Sequence, residues 1–382
     1  MPKLRKKIKV GVIFGGRSGE HEVSIVSAQS VMAALDPEKY EVIPIGITKQ
    51  GRWIAGPQAV EVLKQGRAKL PFKSILTADP TEQSITQVKA KGLVPAKGVT
   101  ATTQIDVVFP VMHGTYGEDG SLQGMLELAN LPYVGAGVLG SALGLDKVVQ
   151  KQLAQQYHVP VVPYDWFLTT DWRKHQAVII KQLEQKLAYP LFTKPANSGS
   201  SVGIAKCHHR RELLQGVAWA AKYDHKIIVE QGIGNISEIE VAVLGNHEPK
   251  VSVPGEIIAS NEFYDYDAKY VDGKSQVIIP AHLPARTVNR IQVLAKIIFL
   301  ALNISGLARI DFFVVKKTGK VYFNEVNTMP GFTSISMYPK LWEASGVSYP
   351  SLVDKLITLA FERHQEKNQL TTEFKPKEDW YT

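Results

Sequence analysis

Arg309, Asp311, Glu325 and Asn327 bracket one short turn and could act together. Residues 309–315 and 320–326 read as two strands joined by Lys317-Thr318-Gly319, with Gly placed to close a three-residue hairpin loop in the left-handed conformation. A turn centred on residue 318 sets Asp311 opposite Glu325 and Arg309 opposite Asn327. Because side chains alternate along a strand, all four then share one face. Two carboxylates placed opposite each other repel. Either that face is solvated, or a hard divalent cation sits between them. Oxygen ligands without His or Cys suit Mg²⁺ or Mn²⁺ rather than zinc.

Four further segments could carry chemistry. In Thr193-Lys194-Pro195-Ala196-Asn197-Ser198-Gly199-Ser200-Ser201-Val202-Gly203, a Lys ends a strand and a Gly/Ser loop follows. Such loops expose backbone N–H groups that can wrap phosphate, although Lys194 precedes the loop and the P-loop order is absent. Gly15-Gly16-Arg17-Ser18-Gly19-Glu20 joins a strand to a helix without the dinucleotide-binding spacing. In Glu238-Ile239-Glu240-Val241-Ala242-Val243, the apolar side chains face a core and the two Glu face away, with Glu240 expected on an exposed strand face. Asn261–Tyr270 carries Tyr264, Tyr266 and Tyr270, either as a packed surface loop or as aromatics laid over a site.

The elements that must position these residues alternate at first. Strands at Lys9–Phe14, Val42–Ile47 and Ile105–Val111, helices at Ser24–Leu35 and Ser121–Ala129, and a short strand at Tyr133-Val134 indicate an α/β unit with a parallel sheet. Residues 58–104 read as a polar surface excursion. Asp146 can cap a helix carrying Val149, Leu153 and Tyr157, with Pro160 beyond its end. Strands at Pro190–Thr193, Val202–Lys206 and Lys226–Glu230 and a helix at Glu212–Lys222 form a small α+β unit. Longer strands and a helix at Thr287–Asn303 complete the chain. The pattern divides the chain into 1–137, 138–230 and 231–382.

The 382 residues carry 44 Lys and Arg against 36 Asp and Glu, a net charge of +8. These cations are spread along the chain, and no helix-turn-helix, zinc-finger or RNA-recognition pattern accompanies them, so nucleic acid is not an expected partner. They suit a solvated surface or an anionic small substrate. Cys207 is the only cysteine, which excludes an intrachain disulfide and multi-Cys metal sites. No run reaches the ~18 apolar residues of a membrane span. Lys3, Arg5, Lys6, Lys7 and Lys9 precede Val10–Phe14, but Gly15-Gly16 stops the apolar run short of a secretory core. No membrane association and a cytoplasmic location are expected.

Seven stretches together resemble the D-alanine–D-alanine ligases, members of the ATP-grasp superfamily. They are GGRSGEHEVS (15–24), HGTYGEDGSLQG (113–124), LDKVVQK (145–151), TKPANSGSSVG (193–203), EIEVAVLGN (238–246), EFYDYDAKY (262–270) and RIDFF…NEVNTMPGFTSIS (309–336). The resemblance implies a three-domain architecture of mixed α/β and α+β class. An N-terminal parallel α/β domain, a small central α+β domain and a C-terminal, mainly antiparallel-sheet domain would follow one another. It implies ATP and two Mg²⁺ (or Mn²⁺) as cofactors, two D-alanine molecules as substrates, peptidoglycan precursor synthesis as the role, and a homodimer.

By the same resemblance, Lys147 and Lys194 hold ATP phosphates, and Glu230, Ile233 and Glu238 hold adenine and ribose. Ser201, Gln231 and Asn324 belong to the nucleotide site, and Lys269 reaches the γ-phosphate. Gln231 departs from members that carry Lys there. Asp311, Glu325 and Asn327 bind the metal ions. Glu20 takes the first D-alanine's ammonium and hydrogen-bonds with Ser200 and Tyr270. Arg309 and the Gly331 N–H stabilise the oxyanion. Ser336 and the Met337 N–H receive the second carboxylate, and His113 and Tyr266 lie near the substrates. An acyl phosphate must be kept from water, so the loops 196–203 and 262–270 are lid candidates. Tyr270 favours D-alanine as acceptor over D-lactate. A ligase using D-lactate or D-serine is the near alternative, and a non-enzymatic anion or nucleic-acid binder the distant one.

Overall fold

The computed structural model describes residues 6–64, 104–199, 202–258, 276–333 and 335–372. The first sheet is built from β1 (Ile8–Gly15), β2 (Tyr40–Ile47), β3 (Trp53–Ala55) and β4 (Val107–Val111). Its order is β3-β2-β1-β4; β1 runs parallel to β2 and β4, and β3 runs antiparallel to β2. Val10, Val12 and Phe14 enter one core, and Ile13 on the opposite face enters another with Ile45, Met112 and Leu126. Burial on both faces is why these strands read as unbroken apolar runs rather than alternating ones. Helix α1 (His21–Ala34) follows β1, beginning earlier than the apolar pattern suggests, so that Glu20 sits at its N-cap. Helix α2 (Ala59–Lys64) precedes the undescribed stretch, which takes in most of the expected polar excursion. Tyr133 makes only a single parallel bridge to Val108 in place of the expected short strand.

Three helices then lead away: α3 (Ser121–Leu128), α4 (Val138–Leu145) and α5 (Lys147–Gln156). Asp146 caps α5 as its sequence position suggests, its Oδ1 accepting from the N–H groups of Val148 (2.9 Å) and Val149 (3.1 Å). The central sheet is antiparallel, in the order β5-β8-β6-β7, from β5 (Tyr164–Leu168), β6 (Leu191–Pro195), β7 (Ala205–Cys207) and β8 (Lys226–Gln231). Strand β7 begins three residues later than the apolar pattern suggests. Helices α6 (Thr169–Lys186) and α7 (Arg210–Ala220) cover one face, where Cys207 is buried. Val148 of α5 packs on the other face against Ala196 and Ile228.

The third sheet has six strands: β9 (Ile236–Gly245), β10 (Lys250–Val251), β11 (Gly255–Ile258), β12 (Gln276–Ile278), β13 (Gly306–Val315) and β14 (Val321–Asn327). Helix α8 (Ala285–Ala301) covers the face formed by Ile239, Val241, Val243, Ile310 and Phe312. The opposite face is divided. At one end Ala242, Leu244 and Leu307 join the core of the first sheet, together with α9 (Met337–Ala344) and α10 (Tyr349–Asn368). At the other end it presents Glu238, Glu240, Arg309 and Asp311. One sheet is thereby anchored to the first unit by its apolar half and carries charge on its remainder.

The hairpin pairs Asp311 with Glu325 and Arg309 with Asn327, as the turn position suggests. It arrives there by a different route. The loop spans four residues, closed by Val315 N–H to Lys320 O (2.9 Å), with Gly319 at φ +67. That shifts the near end of the ladder by one residue, so Phe312 faces Phe323. A bulge at Asn324 then shifts it back.

Helix α4 touches the turn after α8 closely. A Cβ at Gly140 would lie 2.4 Å from the Asn303 carbonyl oxygen and 3.2 Å from the Ile304 Cα. Backbone on the far side cannot step aside as a flexible side chain would. Gly140→Ala is expected to cost about 1–3 kcal/mol in urea denaturation through overpacking. An unchanged midpoint would show that α4 shifts freely.

Candidate active site

The central and third sheets meet at a cleft of about 590 Å³ lined by residues including Lys194, Glu230, Gln231, Ile233, Glu238, Glu240, Asp311, Asn324 and Glu325. A smaller cavity beside it is bordered by Glu118, Lys147, Lys194, Gly199, Glu325 and Asn327. Strand pairing makes a row of carboxylates across β9, β13 and β14, because Asp311 faces Glu240 on one side and Glu325 on the other. Glu240 is only 5% exposed, which overturns its expected place on an exposed strand face. The strand has no solvent face here, because the central sheet closes over it, and one sequence period cannot show what lies above a strand.

A row of like charges needs cations, and the fold supplies them from three directions. Arg309 grips Asp311 with two bonds, Nε to Oδ1 (2.8 Å) and Nη2 to Oδ2 (2.7 Å), while its Nε lies 3.0 Å from Glu240. Asn327 Nδ2 adds a bond to Asp311 Oδ2 (3.1 Å). Burial alone would lower the Arg309 pKa, but Asp311 and Glu240 raise it well above the usual value. Lys147 reaches Glu325 at 3.3 Å and donates to the Ser198 carbonyl (2.8 Å). Its helix is moored to the central sheet through Lys147 N–H to Ala196 O (3.0 Å) and Lys226 Nζ to Asp146 (2.5 Å).

Glu230 at the end of β8 is held by two lysines, Lys194 at 2.6 Å and Lys151 at 2.9 Å. Burial alone would push its carboxyl up, yet Lys151 and Lys194 together hold it down to about 2. Lys151 is fully buried and also donates to the Asn324 carbonyl (2.9 Å), the residue that the bulge inserts. Burial depresses the pKa of Lys151, whereas Glu230 overcomes burial and raises that of Lys194. Sequence reasoning gave Lys151 no role. The available signal was its place one helical turn after Lys147, which puts both lysines on one side of α5.

The substrate side is assembled around Glu20. A Cβ at Gly199 would lie 2.9 Å from Glu20 Oε2, and one at Gly114 would lie 3.1 Å from it, so loops from two other segments come close to this carboxylate. Glu118, also unassigned by sequence, is buried beside it and accepts from Gly114 N–H (2.7 Å) and Met329 N–H (2.8 Å). Burial, with Glu20 nearby, pushes the Glu118 carboxyl up to about 8. His113 Nδ1 sits 2.9 Å from the Met329 carbonyl. Gly331 lies against Ser336, whose hydroxyl accepts from Thr333 N–H (3.0 Å), and Met337 opens α9. Gln231 turns its Oε1 to the Ala188 N–H (3.0 Å) while still lining the cleft. Ser200, Ser201, Tyr266, Lys269 and Tyr270 lie outside the described residues, as does the lid candidate 262–270.

Among the described residues, no three His, Cys, Asp or Glu side chains are grouped so as to hold a metal. The candidate set is two opposed carboxylates and the Asn327 amide, all hard oxygen donors, and these fit a hard divalent cation. Also among the described residues, no helix is long and apolar enough to cross a membrane.

Known proteins match over nearly the whole chain. The family described as D-ala D-ala ligase N-terminus matches residues 9–136, and D-ala D-ala ligase C-terminus matches residues 153–358. The D-alanine–D-alanine ligase of Geobacillus thermodenitrificans is 50% identical over 371 residues, 96% of this chain and 99% of that one. That of Natranaerobius thermophilus is 48% identical over 370 residues, 97% and 99% of the two chains. The solved D-alanine-D-alanine ligase from Coxiella burnetii superposes with a TM-score of 0.80 at 38% identity, covering 96% of this chain and 97% of that one. The VanG D-Ala:D-Ser ligase from Enterococcus faecalis superposes at 0.79 with 36% identity, covering 93% and 100%.

The buried triad predicts an acid-stability signature. A carboxyl whose pKa is lowered by folding adds stability that is present above its ordinary 4.5 and lost as pH falls toward about 2. Lys151→Met leaves Glu230 with Lys194 alone. The variant is expected to lose roughly 3 kcal/mol near neutral pH, as breaking a buried ion pair does. The acid limb of its melting curve should also move to higher pH. Melting temperatures measured from pH 2 to 7 test both, and an acid limb that coincides with the unmodified protein's would refute the pairing.

Proposed function

The chain belongs to the D-alanine–D-alanine ligase family, and we propose that the cleft described above joins two D-alanine molecules, converting ATP to ADP and phosphate. The family is ATP-dependent and uses a divalent metal. The observation that carries the assignment of chemistry to this cleft is the Glu240–Asp311–Glu325 row, faced by Lys147, Lys194 and Arg309 from three separate elements.

A carboxylate resists attack because a nucleophile must add charge to an anion. Phosphorylating the first D-alanine turns it into an acyl phosphate. The second D-alanine's amine then forms the C–N bond as the C–O bond to phosphate breaks; phosphate leaves with the electron pair and the amine's proton passes to solvent. Lys147 and Lys194 orient the ATP phosphates, with Lys269 and Ser201 in the same site. Glu230, Gln231, Ile233, Glu238 and Asn324 receive adenine and ribose. Asp311, Glu325 and Asn327 would hold Mg²⁺ or Mn²⁺, which would supply charge neutralisation on the transferring phosphoryl group. Glu20, with Ser200 and Tyr270, holds the first ammonium, and His113 and Tyr266 border the substrates. Arg309 and the Gly331 N–H meet the oxyanion. Ser336 and the Met337 N–H, at the start of α9, take the second carboxylate.

The domain division at about 137 and 230 belongs to the same proposal. It is supported by each sheet drawing its strands from one stretch, with β8 ending one residue past the second boundary. So does a cytoplasmic homodimer. Leu128 is 91% exposed, with Met125, Val138 and Leu139 also exposed on the adjoining α3 and α4, and a second copy could cover that apolar face. D-Alanine is the proposed acceptor. A D-Ala:D-Ser ligase shares the backbone, so acceptor choice lies in side chains rather than in the fold.

Phosphate release from ATP should require D-alanine, fail with L-alanine, stop on chelation and return with added Mg²⁺. Glu325→Gln should lower turnover on the order of 10²-fold, while its melting temperature stays within a few degrees because Glu325 is only partly buried. Equal stimulation by L-alanine would sink the ligase reading. Wild-type turnover by Glu325→Gln in Mg²⁺ would sink the metal assignment. Product masses with D-alanine, D-lactate and D-serine in competition decide the acceptor.

A further inference from the structure

Residues 329–332 connect the carboxylate-bearing β14 to Ser336. Four of their seven backbone polar groups, both those of Met329 and both those of Phe332, are held from outside. The Met329 N–H donates to Glu118 Oε1 (2.8 Å), and the Met329 carbonyl lies 2.9 Å from His113 Nδ1. A carbonyl only accepts, so Nδ1 donates to it, and Nε2 is the ring's other polar atom. Ser27 Oγ stands 3.3 Å from that Nε2 and accepts from the Phe332 N–H (3.4 Å). The Phe332 carbonyl accepts from Tyr349 OH (2.5 Å). Pro330 has no N–H. The remaining N–H, that of Gly331, takes no partner among the described residues.

We propose that Glu118, together with His113 and Ser27, forms a backbone clamp in which the first unit of the chain positions the Gly331 N–H toward the reacting carbonyl. The inference rests on the ligase reading above and extends it to residues with no assigned part in orienting the loop. Glu118 suits the task because each of its oxygens offers a lone pair to an N–H, in the charged and the protonated carboxyl alike. One holds Met329 and the other the Gly114 N–H (2.7 Å), so the carboxyl joins the His113–Asp119 loop to the loop it steers. Glutamine has the same shape but only one accepting oxygen, so one of those two N–H groups would face a donor. Ser27 is a milder probe, since alanine removes the Phe332 bond and the His113 contact while leaving Met329 held.

The test uses the full chain with ATP, Mg²⁺ and D-alanine. Glu118→Gln should lower kcat on the order of 10²-fold, the scale of a misplaced oxyanion donor. Ser27→Ala should lower it about 10-fold. In both, KM for ATP should stay within about twofold, because the nucleotide groups lie on other elements. A merely structural role would instead lower kcat and ATP affinity together, in step with melting temperature. If Glu118→Gln fails to melt cooperatively, Ser27→Ala decides alone. A folded Ser27→Ala protein with unmodified kcat, or with kcat and ATP affinity damaged alike, overturns the clamp. Absence of D-alanine-dependent turnover in the unmodified protein strikes the ligase reading itself, and so is distinguishable from failure of the clamp.

Discussion

Everything at the centre of this molecule answers to one electrostatic constraint. Glu230, Glu240 and Asp311 are each less than a tenth exposed, and Glu325 stands in line with two of them. Unpaired charges so far from water would each cost several kcal/mol. The sequence carries no run of basic residues beside them to repair this. Neutralisation comes instead from Lys147 and Lys151 on α5, Lys194 on β6 and Arg309 on β13. The cations and carboxylates can meet only when the central and third sheets face each other with α5 between them. The charge balance is therefore satisfied only in the assembled structure.

That dependence explains features which look incidental one at a time. Asp146 caps α5 and pairs with Lys226, fixing where the helix begins and thus where Lys147 points. Gln150 on the same helix accepts from Val326 N–H (3.0 Å), tying α5 to the strand that carries Glu325 and Asn327. Lys151 makes its second polar contact by donating to the Asn324 carbonyl, which is available because the bulge interrupts the ladder there. One helix thus ties two sheets together while delivering two of the four cations.

The sequence was legible where chemistry depends on local geometry, and opaque where it depends on what packs above. The Asp311–Glu325 and Arg309–Asn327 pairs follow from the position of a turn. They survive because a loop one residue longer and a bulge at Asn324 cancel in register. Neither change can be read from residue types alone. The cap at Asp146 was legible for the same local reason. Glu240 was misread because alternation tells which side of a strand a residue occupies and says nothing about a second sheet lying over that side. Lys151 and Glu118 were passed over because a lone Lys within a helix and a lone Glu within a Gly-rich loop carry no pattern. Their significance lies in partners 79 and 211 residues away in sequence, Glu230 and Met329. The resemblance to a ligase family supplied what local geometry could not, by grouping segments that only the folded chain brings together.

On the proposed reading, the first unit completes the site. The third sheet and α5 already gather the carboxylates and most of the cations, so a two-sheet protein could balance its charge. It would still lack Glu20, and its 329–332 loop would lack the partners that hold Met329 and Phe332. The apolar core shared by Val10, Val12 and Phe14 with Leu307, Phe332, Tyr338 and Leu356 fixes that unit against the apolar end of the third sheet's charge-bearing face. Hydrophobic burial there is non-directional and could tolerate small slides. The hydrogen bonds from Glu118, His113 and Ser27 are directional and could not. Burial brings the two units together, and the polar contacts fix how the 329–332 loop sits between them.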